Sequence, residues 1–162
     1  FNLYMGQVFD ASPFRISNFM AITCISLSAV SSQLGRINRW LSLGNIIKLS
    51  FVVTALSLAL VPQMPSMWFL LIPGIINGMA LGANIPSLQT AIASMAPLEH
   101  RGAFMSINAT IIRAGQAIGP LLVGLFYVYG GFDGAFYATA GLALVAPVVA
   151  ILVGWKIKPK EV

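Results

Sequence analysis

Charged side chains are scarce in this chain. Lys and Arg number nine and Asp and Glu four among 162 residues, 8% in all. Soluble domains carry about 25%, so a water-exposed surface could not be covered, and a soluble globular domain is excluded. Hydrophobic residues reach 58% and mean hydropathy is +0.88, which identifies an integral membrane protein. Cysteine is nearly absent too. The single Cys24 lies in an apolar stretch, so neither an internal disulfide nor a cysteine metal site can form, and it reads as a small apolar packer. The pI near 9.8 does not point to nucleic acid, because the basic residues are separated by long apolar runs without interleaved aromatics. The opening FNLYMGQ has no charged segment before an apolar core. No signal peptide is expected, and the start reads as a cut through a longer protein.

What the chain does have is apolar length. A helix needs roughly 20 apolar residues to cross about 30 Å of hydrocarbon. Five stretches qualify, at 13–33, 43–61, 67–95, 103–128 and 135–155, and residues 1–9 read as the outer end of an earlier helix. Ser12 and Pro13 make a plausible helix start. GRINRW, VPQMP, APLEHRG and YGGFDG are expected to separate the spans. Alternating spans place Arg36, Arg39, Lys48, Arg101, Lys156, Lys158 and Lys160 on one side, Arg15 on the other and Arg113 within a span. Inside loops collect Lys and Arg, so loops 34–42 and 96–102 and the tail are expected in the cytoplasm, in a multi-pass plasma membrane protein.

Acids are missing where membrane chemistry would need them. Asp10, Glu99, Asp133 and Glu161 fall in loops or the tail, as does the only histidine, His100. An intramembrane aspartyl protease, a zinc protease or a serine hydrolase needs carboxylates or a base within reach of the nucleophile or metal, so no enzyme is expected. No cofactor or metal is expected either.

Two spans have contrasting faces. Gly74, Gly78 and Gly82 recur at intervals of four in GIINGMALG, as do Gly115 and Gly119 later. Small residues at that spacing let helices approach closely. At about 100° per residue, Asn77 and Asn84 lie within about 20° of each other, beside Pro73 and Leu81 and away from Gly78 and Gly82. Ser106, Arg113, Gln116, Pro120, Gly124 and Tyr127 form a second polar stripe, with Phe104, Ile111, Gly115, Gly119 and Leu122 opposite. A wet face beside a dry face is expected of helices lining a water-accessible path. Polar residues bonding between helices would give the same pattern. Arg113 stands roughly 15 Å from the nearer span end, beyond snorkelling reach. Facing lipid would cost at least about 2.5–3.5 kcal/mol. It is expected to meet protein, water or an anionic or acceptor-rich ligand, its partner lying outside this chain's spans.

The order of these pieces resembles the C-terminal half of a major facilitator superfamily transporter, over essentially the whole chain. The five spans look like helices 8 to 12 of that all-α bundle, five members of a six-helix half, with residues 1–9 as the end of helix 7. GRINRWLSLG resembles the second copy of the family's loop signature, with Gly35 as the glycine, Ile37 for leucine and Arg39 in the charged place; the usual acid is absent. GMALGANIPSLQ resembles the Gly- and Pro-rich helix 10. APLEHRGAFMS followed by GQAIGPLLVG resembles the entry and Gly-x-x-x-Gly-Pro segment of helix 11, akin to the antiporter signature but without its final paired glycine. The resemblance implies alternating access, with Arg113, Gln116, Pro120, Asn77 and Asn84 on the substrate pathway. Gly35, Arg36, Arg39 and Arg101 would lie at a cytoplasmic gate. The partners it implies are a small-molecule substrate, a coupling proton, the bilayer and a missing N-terminal half that would carry any titrating acid. An efflux-type drug or metabolite permease is the nearest likeness, with a sugar or organic-anion carrier as the alternative. A non-transporting membrane scaffold or receptor subunit is the reading from another class.

Overall fold

The structure, a computed structural model, describes residues 1–152. The end of the fifth expected span and the tail with Lys156, Lys158, Lys160 and Glu161 lie outside the described residues. The described part is helical throughout: α1 (Asn2–Val8), α2 (Pro13–Trp40), α3 (Leu43–Leu60), α4 (Leu71–Met95) and α5 (Arg101–Leu152), with single 3-10 turns at Val61–Gln63 and Leu98–His100.

Several helix boundaries differ from those expected. Ser12 does stand before Pro13, and its carbonyl accepts from the Arg15 and Ile16 amides at 2.9 and 3.1 Å, but its hydroxyl makes no capping bond. α2 overruns position 33 and ends at Trp40. GRINRW ends the apolar run without ending the helix, because it contains no proline and its Arg39 lies in the last turn, where a cation meets the negative end of the helix dipole. The expected loop 34–42 thus shrinks to Leu41 and Ser42, and Gly35, Arg36 and Arg39 are helical. α4 begins at Leu71 rather than 67, after turns through residues 66–70.

α5 merges the fourth and fifth expected spans. A straight helix of its 52 residues would be about 78 Å long, more than twice the hydrocarbon thickness. One residue resolves the conflict. Gly131 has φ 61° and ψ −158°, a backbone conformation open to glycine and strained for other residues. It divides α5 into a first limb, 101–130, and a second, 132–152.

The packing order follows from the contacts. Built onto Gly74, a Cβ would approach the Phe19 ring at 2.5 Å; on Gly78 it would lie 2.6 Å from the Thr23 carbonyl; on Gly82 it would meet the Leu27 carbonyl. Positions rise together on both helices, so α2 and α4 run parallel, with the ridge Phe19, Thr23 and Leu27 seated on the glycine face. α3 runs antiparallel to α4: Ser57 meets Pro73 near one end, while Ile46 and Ser50 share a groove with Ala80 and Ala83 nearer the other. α3 also packs on α5, whose buried residues, Ala135, Ala140, Pro147 and Ala150, all lie in the second limb.

Large side chains are fully buried mainly at one end of this bundle, where Met5, Val61 and Leu70 are inaccessible. An aromatic cluster closes that end. Tyr4 meets Phe132 and Phe136 at ring-centroid distances of 5.2 and 5.3 Å, and Phe1 meets Phe19 at 5.6 Å, so α1 ties α2 to the second limb. The two Tyr4 pairs are edge-to-face, an arrangement that adds about 0.5–1.5 kcal/mol each beyond burial. Between the helices, glycine, alanine and serine replace large side chains, the composition that membrane helix contacts favour.

Candidate functional site

Two polar features stand on this framework, one buried and one open. The buried one lies between α3 and α4. The Ser57 hydroxyl, wholly inaccessible, donates to the Pro73 carbonyl at 2.6 Å. Asn84 and Ser87 are buried on the same side of α4. Thr54 Oγ1, Asn77 Oδ1, Asn84 Oδ1 and Ser87 Oγ are buried there without a hydrogen-bond partner among the described residues. Such atoms each cost about 1–3 kcal/mol, so this interface holds polar chemistry that the packing itself does not satisfy. The side of α4 expected to be wet is therefore turned towards α3, and Asn84, only 6% exposed, is reached from no open face. The cause is the second neighbour of α4. With the glycine face taken by α2, α3 covers the face about 100° away.

The open feature is the first limb of α5. No residue from 101 to 134 is buried. Arg113, Gln116 and Pro120 are all exposed along it, three and seven residues apart and so on one side. Arg113 is about 18 Å along the axis from Arg101, near the middle of the first limb. Among the described residues no ion pair engages Arg113 or Arg15. Ser106 and Thr110 bond back to Gly102 and Ser106 carbonyls at 3.0 Å, which leaves Arg113, Gln116 and Tyr127 as the free polar groups of this stripe among the described residues. A Cβ added at Gly115 or Gly119 would meet nothing within 4 Å. The face expected to pack thus finds no neighbour among the described residues, in contrast to Gly74, Gly78 and Gly82. α4 and α5 touch only lightly, and the structure does not bring Asn77 and Asn84 together with Arg113.

The basic residues segregate by end. Arg36 and Arg39 close α2, Lys48 lies in the second turn of α3 and Arg101 opens α5, which puts all four at one end of the bundle. Arg15, in the first turn of α2, is at the other. Sequence reasoning missed the α3 side of the buried feature. Its signal was present as Ser50 and Ser57, seven residues apart and hence on one helix face.

Long apolar helices, a cation midway along one of them and basic residues gathered at one end describe a polytopic membrane protein. No curated protein and no solved structure matches the chain. The sequence model described as Major Facilitator Superfamily, a family of transporters for small molecules, matches residues 1–162. With the match running the full length of a helical chain whose long helices are apolar enough to cross a bilayer, the protein belongs to the Major Facilitator Superfamily.

Proposed function

We propose that the chain is the C-terminal half, from the end of helix 7 to helix 12, of a secondary active transporter that exports a drug-like or metabolite solute by alternating access. The observation that carries this reading is Arg113, an arginine near mid-bilayer on an exposed helical limb. Such a charge belongs on a water-accessible path or against another helix, because facing lipid costs at least about 2.5–3.5 kcal/mol. Gln116 and Pro120 share its side and would line the path with it. Asn77 and Asn84 would act behind that wall, as buried polar groups whose bonding changes when α3 and α4 shift. In the rocking motion, Gly35, Arg36, Arg39 and Arg101 form part of a cytoplasmic gate, in keeping with the bias of basic residues to inner loops. A coupling proton would be carried by an acid outside these residues, since Asp10, Glu99 and Asp133 lie at helix ends or loops.

One observation favours a second reading. Arg113 is a fixed positive charge with no acid on the spans, which suits an organic anion or a hydroxylated solute such as a sugar better than a hydrophobic cation. Transport by the full-length protein in proteoliposomes separates the two. Efflux of cationic drugs supports the exporter; uptake competed by organic anions or sugars supports the carrier. In either case Arg113→Ala is expected to lower the transport rate at least about ten-fold, a rise of ~1.4 kcal/mol in the barrier, with the unfolding midpoint retained and partial recovery in Arg113→Lys. Unchanged transport in a folded Arg113→Ala protein removes this residue from the path.

A further inference from the structure

Among the described residues, Arg15 is the one basic side chain at its end of the bundle. Segments 1–12, 61–70 and 129–134, which share that end, contain Asp10 and Asp133 but no Lys or Arg. It stands at the mouth of a groove of about 420 Å³ between α2 and the start of α4. Asn18 and Trp68 flank the mouth, and Phe19, Ile22 and Ile25 line the wall below. The groove lies on the flank of α2 away from Met20, which takes the contact from α1. Trp68 is 76% exposed, as befits an indole at the headgroup level. From Arg15 down to Ile25 is about 15 Å along the helix, which is one leaflet of a hydrocarbon core about 30 Å thick.

We infer that this groove holds an acyl chain of an anionic phospholipid, with the headgroup phosphate on the Arg15 guanidinium and Asn18 beside it. The depth argues for a lipid over a free anion, because a soluble anion would use the mouth and leave the apolar wall empty. Guanidinium binds phosphate through paired N–H donors, and Ile22 and Ile25 on the wall are exposed at 37% and 68%. The site depends neither on the solute nor on the direction of transport.

The test uses the full-length protein in detergent with equal amounts of phosphatidylglycerol and phosphatidylcholine, and reads retained lipid by native mass spectrometry. Wild type is expected to retain phosphatidylglycerol about five-fold over phosphatidylcholine, the factor that one basic residue contributes near a membrane surface. Arg15→Gln is expected to abolish the preference and Arg15→Lys to keep it. Ile25→Trp, which fills the wall and leaves the charge in place, is expected to lower retention of both lipids. Millimolar inorganic phosphate is expected to displace nothing. Preference retained in Arg15→Gln, unchanged retention in Ile25→Trp, or displacement by phosphate would each overturn the assignment, the last in favour of a soluble anion.

Discussion

The same local pattern, glycine at intervals of four, has two fates in this molecule. On α4 it is a seam: Gly74, Gly78 and Gly82 take the ridge of α2 so closely that two of the three contacts are to main-chain carbonyls. On the first limb of α5 it is bare: Gly115 and Gly119 face nothing in the described chain, and the arginine on the same limb has no counter-charge there. The difference teaches that spaced glycines state how closely a helix can be approached, while the identity of the neighbour is set by topology. α2 and α4 run parallel and are bridged by α3; on the first limb of α5 no described residue is buried.

The sharpest way to break this contrast is at the seam. Gly82→Leu is expected to cost about 3 kcal/mol of stability, because the side chain would drive the α4 backbone off the Leu27 carbonyl and separate two helices along several turns. The denaturation midpoint in detergent reads it, and a neutral result would mean that the seam is looser than its geometry. The corresponding change on the bare limb is smaller, and its sign carries the information. Helix propensity alone makes Gly119→Ala stabilising by about 0.5 kcal/mol. If the limb packs against the other half of a complete transporter, the same change in the full-length protein is expected to cost about 1 kcal/mol by crowding that contact. A gain there would leave Gly119 without a packing role.

Much of the fold was legible because the signals are local. Apolar length marks a span wherever it occurs, and the glycine face of α4 follows from helical period alone. Helix ends were less legible, since hydropathy and helix propensity are different properties: GRINRW stops being apolar at Gly35 yet remains helical to Trp40. YGGFDG announced a break, but which of its residues turns the chain is decided by the packing of Phe132 and Phe136 on Tyr4, a contact more than 120 residues apart in sequence. For the candidate site, the place of Arg113 within a long apolar helix could be read from the sequence. The assignment of the α4 asparagine face to a path could not. A helical wheel separates two faces and is silent on which neighbour each one meets, and here α3 covers the second.

Two serines sharpen the comparison within the seam itself. Ser57 and Ser87 are both fully inaccessible, and both lie at the interface of α3 and α4. Ser57 donates to the Pro73 carbonyl at 2.6 Å; Ser87 has no partner among the described residues. Ser57→Ala is expected to cost about 0.6 kcal/mol, the typical worth of an interhelical hydrogen bond in a membrane protein. Ser87→Ala removes a buried hydroxyl that satisfies nothing, and is expected to be neutral or stabilising by up to about 0.5 kcal/mol, since an unpaired polar group costs more than it returns. The two changes delete the same atom at the same burial, so transfer and cavity effects cancel between them and the difference isolates the bond. Equal losses would show that Ser87 is also bonded in the working protein, to a water, an ion or a moving helix. Since Ser87 lies one turn from Asn84, the unpaired amide oxygen beside it would then belong to the same bound group.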